Sequence, residues 1–452
     1  MGSRGSRIAA AMLALAAVTA GVAVSFLRAN TVYTGVRIDG IELGGLTVQQ
    51  AKTRLEPVAN ELALAQMTLG LGDEIYITTF REIGGVVDTS ASARSAYKVG
   101  REGNVFRRIA DIVAVRRHGR PVPVVYSFDG NTAADYLRSA ARGIDREPVN
   151  AELALEGDSV RVTPGKPGVK LDIEKSLERL SRAANSGSRD IALVVGAASP
   201  EITEDDLAGI DGVIASYSTP YKPWERDRSY NLGIACRAIN GTLLRSGETF
   251  SYNKVVGPRL KKRGFRDALM FVDGEVEPGT GGGICQVSTT VYNTALLADT
   301  KILRRSHHSR PVVYAPVGRD ATVAYPALDL RFQNTSESPM YILASVGKRT
   351  VNVTILGRRL DGRTVELVSA GHRVLGAPVK KVTRDGLASE KPAVVEKGRS
   401  GHRVSTYRVV KQDGKVVKRE LISSDYYRPE SRVVAVPRPA PKPMETEPQP
   451  PM

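Results

Sequence analysis

Cys285 is the residue in this chain with the strongest chemical promise. It closes the run GTGGGIC, with Gly281, Gly282 and Gly283 just before it and an apolar-periodic stretch from Gln286 to Ala298 just after it. Successive glycines permit backbone angles that other residues resist. The periodic stretch predicts a helix with Val287, Val291 and Ala295 on its buried stripe. A cysteine at a helix start meets unpaired backbone amides and the positive end of the helix dipole, which favour a thiolate and can hold a developing oxyanion. A base must complete such a site. His307 and His308 follow in RRSHHSRPVVYAPVGRDATVAY, with strand-like residues leading to Asp320. The order Cys285, His308, Asp320 suits a thiol nucleophile, a general base and a carboxylate that orients the imidazole. Gly281, Gly282, Gly283, Gln286 and Thr289 form the candidate binding set around it.

A plainer account uses the same residues. Cys285 is then a packed thiol, the glycines let the helix approach its neighbours, and His308 and Asp320 tie down a strand and a turn. A disulfide with Cys236 is the third account, and it would extinguish the nucleophile. Cys236 falls in a helix predicted over 231–240 beside the inward residues Leu232, Ala235 and Ile239, where packing is its expected role.

Composition narrows what surrounds this candidate site. The chain has 452 residues, 64 basic and 48 acidic, a net charge of +16 and a 42% apolar fraction. That excludes wholesale disorder and a polytopic transporter, and it leaves room for about three domains. Two cysteines supply neither a disulfide scaffold nor a thiolate cluster. His118, His307, His308, His372 and His402 are scattered apart from one adjacent pair. An all-histidine metal site would need nearly all of them, so no metal centre and no cofactor is expected.

The amino terminus points to a compartment. After Arg4 and Arg7 the chain runs from Ile8 to Leu27 without a charge. Twenty such residues make about 30 Å of helix, the thickness of a bilayer's hydrocarbon core. Residues 1–30 are read as a cytoplasmic stub and a transmembrane anchor, with the long remainder exported. Val18 and Ala20 also satisfy the small-residue rule for signal cleavage, in which case the protein is secreted. Either way the basic balance faces an anionic wall polymer or a membrane surface, and nucleic acid is not an expected partner.

Beyond the span, Thr47 is a plausible cap for a helix through Leu55. The stretch Glu74 to Tyr97 has the outline of Asp158 to Leu180, with Asp88 matching Asp172 at an offset of 84 residues. In both, a strand, a glycine, a short apolar run and an aspartate precede a helix, which reads as an internal duplication. The stretch YSFDGNTAADYLRSAARGID predicts a further helix, and Arg107 to Arg120 reads as a basic connector. The carboxyl-terminal third is strand-rich, with a hairpin expected at Gly347 and Lys348 and a turn at Gln412, Asp413 and Gly414. Residues 437–452 hold seven prolines and form an extended tail.

Three resemblances follow. The GV-x-I-x-GI-x-LGGLT opening and the glycine-aspartate-helix pattern make residues 34–200 resemble a peptidoglycan-binding region of cell-envelope proteins. Asn240, Gly241, Phe250, Ser251, the block Gly281 to Thr290, Arg305, His308, Tyr314 and Arg319 to Val323 are similar to the VanW family, over a domain placed at 215–350. Gly398, Gly401, Tyr407, Gly414, Lys415 and Glu420 make residues 365–436 resemble a G-five β domain. The fold class is therefore α+β and multidomain: an N-terminal anchor, a duplicated α+β peptidoglycan-binding-like region, an α+β VanW domain and a C-terminal all-β module. The resemblance implies an extracytoplasmic Gram-positive envelope protein that binds or organises peptidoglycan. The competing expectation is a cysteine-dependent transpeptidase or amidase acting on stem peptides.

Overall fold

The computed structural model describes residues 30–186, 188–272, 275–384 and 393–436. The apolar span at 8–27 and the proline-rich tail at 437–452 lie outside the described residues. The described chain forms two compact units, residues up to 149 with 167–199, and residues 150–166 with those from 200 onward.

The first unit holds two apolar cores. One gathers Val32, Val36, Ile38, Leu43 and Leu55; the other is built on Met67, Leu69, Ile83, Leu137 and Leu180. Thr47 does cap a helix, through a capping box with Gln50. That helix continues past Leu55 to Ala63, with Pro57 inside it. The segment read as a basic connector is instead a helix, Val105–His118, capped by Asn104 and stopped at Gly119 in the left-handed region at φ 69°. Val115 seats it in the unit's core, with Ile112 half-buried beside it. The expected helix after Phe128 runs over Gly130–Ile144, with Asp129 accepting from two first-turn amides.

The two segments with matching outlines adopt matching local elements. A hairpin over 66–79 turns at Gly72 and a hairpin over 152–163 turns at Gly157, both glycines having positive φ. In each case a short strand and an aspartate precede a helix, with Asp88 accepting from Ala91 N and Asp172 from Lys175 N. The second hairpin packs in the second unit, where Leu153 joins Leu207, Leu243, Tyr341 and Leu356.

The second unit is organised on an antiparallel sheet of β1 (Gly212–Pro220), β2 (Thr242–Leu244), β3 (Met340–Val346) and β4 (Thr350–Gly357), in the order β1-β4-β3-β2. Helices α1 (Arg226–Ile239) and α2 (Ile284–Leu297) pack on it. The inward residues expected of α1, namely Leu232, Ala235 and Ile239, are fully buried, and so are Val287, Val291 and Ala295 of α2. In fact α2 is buried almost all round: from Ile284 to Leu296 every residue except Cys285 is covered. A helix with this much burial belongs at the centre of a core, and its polar residues must find partners inside.

The carboxyl-terminal module adds β5 (Arg363–Leu375), β6 (Gly401–Gln412) and β7 (Lys415–Tyr427) in an antiparallel sheet of that order. Asp413 and Gly414, at φ 51° and 76°, make the tight turn between β6 and β7 that the sequence predicted. A smaller sheet joins Val379–Thr383, Arg432–Val436 and Ala393–Glu396.

Candidate active site at the start of the central helix

The glycines before Cys285 serve the backbone itself. Gly281 and Gly283 sit at φ 92° and 106°, where other residues are strained. A β-carbon on Gly282 would meet Ala268 O at 2.6 Å and Leu269 O at 2.7 Å, so this turn lies against the strand Asp267–Val272. These three residues set the entry of α2.

The first turn of α2 uses two of its own amides. Ile284 N donates to Gly281 O at 3.4 Å and Gln286 N to Gly283 O at 2.9 Å. The Cys285 amide, in the same first turn, belongs to the set a helix cannot satisfy internally.

His308 is held against Asp320. Its Nδ1 is 2.6 Å from Asp320 Oδ2, and its backbone N donates to the same oxygen at 2.7 Å. The imidazole lies close enough to the Cys285 side chain for each to shift the other's titration. With Nδ1 taken by Asp320, Nε2 is the ring nitrogen left for another partner. Cys285 Sγ further lies 3.5 Å from Thr322 Oγ1 and 3.5 Å from Val323 O. Cys285 is partly exposed, whereas the Asp320 side chain is only 1% exposed.

The segment that carries Asp320 is lashed to α2 by hydroxyls and an amide. Ser288 Oγ donates to Ala321 O at 2.9 Å, Ala321 N donates to Thr289 Oγ1 at 3.0 Å, and Asn293 Nδ2 donates to Arg319 O at 2.7 Å. Asp320 Oδ1 has partners of its own. It accepts from Tyr427 Oη at 2.5 Å and from Arg305 Nη2 at 3.3 Å, while Arg305 Nη1 donates to Asp425 Oδ1 at 2.6 Å. Tyr427 and Asp425 come from β7, so the carboxyl-terminal module supplies contacts to the carboxylate that holds His308.

This arrangement moves protons in a consistent direction. Burial pushes the Cys285 thiol up, but the neighbouring His308, with Val323 O and Thr322, outweighs it and brings the thiol down to about 7. Burial opposes the charged His308, yet its bond to Asp320 and the neighbouring Cys285 raise it to about 9. Burial likewise opposes ionisation of Asp320, and the His308, Tyr427 and Arg305 contacts override that to hold it below the usual range. These shifts favour a thiolate beside an imidazolium, with an ionised carboxylate behind it.

Two candidates behave differently from expectation. Gln286 is 1% exposed and its carboxamide is consumed internally: Oε1 accepts from Arg228 Nη2 at 2.8 Å, and Nε2 donates to Thr219 Oγ1 at 3.1 Å and Pro220 O at 2.8 Å. Thr289 is fully buried on Ala321. Both brace the site instead of opening onto it, because a helix at the centre of a core turns its polar residues inward. Cys236 and Cys285 are both free thiols, so the disulfide account does not hold. Among the described residues no group of three metal-ligating side chains converges. Sequence reasoning assigned no role to Tyr427, which lies 107 residues from Asp320 in another β element. Tyr314, noted there only as a family match, lies close enough to Cys285 and Thr289 for its phenol to be raised by burial and the neighbouring thiolate.

The chain thus combines an α+β amino-terminal part, a helix-and-sheet centre that carries Cys285, His308 and Asp320, and a carboxyl-terminal β module. Residues 227–356 match the family described as "VanW like protein", residues 76–192 the family described as "Putative peptidoglycan binding domain", and residues 372–436 the "G5 domain" family. The chain belongs to the VanW-like family. It is 34% identical over 226 residues to an uncharacterized protein, YoaR, of Bacillus subtilis (strain 168), covering 50% of this chain and 74% of that one. It is 29% identical over 119 residues to the vancomycin B-type resistance protein VanW of Enterococcus faecalis (strain ATCC 700802 / V583), covering 25% of this chain and 43% of that one. Among solved structures it is similar to a G5 domain of an IgA1 protease, at 18% identity and a TM-score of 0.15, over 17% of this chain and 89% of that one. A second, HP0197-G5, is 26% identical with a TM-score of 0.12, over 16% of this chain and 96% of that one. The domain composition is that of an extracytoplasmic, peptidoglycan-associated envelope protein.

Proposed function

We propose that the chain works at the peptidoglycan layer and that its central domain is a cysteine-dependent acyl-transfer site for stem peptides, a transpeptidase or an amidase. What supports this reading is that His308, its Nδ1 held at 2.6 Å by the buried Asp320 carboxylate, neighbours the Cys285 thiol and lowers its titration. In the proposed step the Cys285 thiolate attacks a stem carbonyl, forming a carbon–sulfur bond. The Cys285 amide, in the first turn of α2, receives the negative charge on oxygen. His308 passes its proton to the departing amine as the carbon–nitrogen bond breaks. The thioester is then resolved by water in an amidase, or by an acceptor amine in a transpeptidase.

The flanking regions supply the second part of the proposal, that the protein binds or organises wall polymer. The family matches at 76–192 and 372–436 and the net charge of +16 favour it. In the same reading residues 8–27 tether the protein as a single-pass anchor, or are removed as a signal, and the recurrent hairpin-strand-helix segments descend from a duplication.

The test is a covalent adduct. The full chain incubated with purified stem peptides and analysed by intact mass and peptide mapping is expected to carry an acyl group on Cys285. Sacculi that sediment with the protein while no adduct forms on any substrate would leave a binding protein and sink the acyl-transfer reading.

A further inference from the structure

The helix Val105–His118 of the first unit touches its own unit by one narrow face. Val115 is its one fully buried residue, with Arg108, Asp111 and Ile112 half-buried beside it. On the opposite side Phe106 is 84% exposed, Val105 52%, Val113 45% and Ile109 40%. At 3.6 residues per turn these four fall in a single stripe, and Arg116 and Arg117 of the last turn lie along it. Asp111, the helix's only acidic residue, is on the buried side. A contiguous apolar stripe edged by arginines and free of carboxylates marks a surface that meets something both apolar and anionic.

The start of the described chain indicates what that is. Thr31 O accepts from Arg101 Nη2 at 2.6 Å, Val32 shares a core with Val115, and Arg120 N donates to Gly35 O at 2.8 Å. The chain therefore enters this unit beside the same helix. Leu27, the last residue of the uncharged run from Ile8, precedes Thr31 by four residues, at most about 14 Å of extended chain. A bilayer that holds residues 8–27 thus lies within about 14 Å of Thr31, where the chain enters beside this helix.

We infer that Val105–His118 is an interfacial helix: Val105, Phe106, Ile109 and Val113 enter the boundary between headgroups and acyl chains, and Arg116 and Arg117 meet anionic lipid headgroups. The inference takes residues 8–27 as a retained span and is independent of the thiol site. Its effect is to fix the first unit on the membrane surface.

The test places a reporter on the stripe. Trp224 is the chain's only tryptophan, so Phe106→Trp combined with Trp224→Phe gives one emitter there. The full chain is reconstituted in phosphatidylcholine vesicles with and without phosphatidylglycerol. With the anionic lipid, emission is expected at shorter wavelength, with brominated acyl chains quenching it by about twofold or more. Adding Arg116→Glu and Arg117→Glu should remove most of that quenching. Equal emission and no quenching in every vesicle would overturn the inference. So would a spectral change that needs added anionic wall polymer, which would make that polymer the occupant, or one that appears only at high protein-to-lipid ratio, which would make it a second copy of the chain.

Discussion

Cys236 and Cys285 occupy neighbouring helices over one core, and their surroundings separate them. Cys236 is 2% exposed, and burial pushes its thiol up to about 12, the charge of Arg237 being too weak an offset. Burial also raises Cys285, but His308 more than compensates and the thiol falls to about 7. The two share residue type, unit and apolar neighbours. What differs is position along the helix, since Cys236 sits in the last turn of α1 and Cys285 in the first turn of α2, against a histidine braced by a buried carboxylate. Chemistry here is a property of the partners and not of the thiol.

Exchanging each sulfur in turn should break this comparison most visibly. Cys285→Ser is expected to lower acyl transfer to stem peptides about a thousandfold or more while the protein still melts cooperatively. Cys236→Ser should leave turnover unchanged and cost about 1–3 kcal/mol of stability, because a hydroxyl is placed among apolar neighbours. Equal losses of turnover in both variants, measured on the same peptides, would mean that the two thiols are merely packing residues.

The next effect in size belongs to the carboxylate. Asp320→Asn should reduce turnover by about 10²–10⁴-fold, since the amide no longer fixes the imidazole tautomer or stabilises its charge. The thiol of that variant should also titrate higher than in the parent, readable by thiolate absorbance. An unchanged titration would detach Asp320 from the relay.

The smallest effect sharpens the role of the β module. Tyr427→Phe removes one hydrogen bond from Asp320 Oδ1 and one acceptor from Gly318 N, and should cost about 1 kcal/mol of stability with a small upward shift of the Cys285 titration. Cys236 should not respond. A stability loss with no change at Cys285 would confine Tyr427 to holding the module in place.

Much of this was legible in the sequence because short-range rules govern it. The glycine run, the period of Val287, Val291 and Ala295 and the capping residue Thr47 each act within a turn or two, and the corresponding elements formed. Reading Arg107 to Arg120 as a connector weighs charge above the apolar positions, yet Val115 enters the core and a helix forms. The roles of Gln286 and Thr289 were hidden for a different reason. Polar residues after a nucleophile suggest ligand contact, and only three-dimensional burial reveals that α2 is enclosed on nearly every side. Tyr427 carried no local signal at all. Its contact with Asp320 depends on how a distant β strand packs, which no pattern near either residue encodes.

The central claim is that His308 activates Cys285, and the rate of Cys285 alkylation as a function of pH tests it most directly. In the folded full chain, with labelled positions mapped by mass, the rate should rise to a plateau with a midpoint near 7, while Cys236 stays unlabelled until denaturant is added. In His308→Ala the midpoint should move up towards 9.0, the ordinary value for a cysteine thiol, or beyond it. A Cys285 midpoint that lies at the ordinary value in the parent and does not move in the variant would contradict the account.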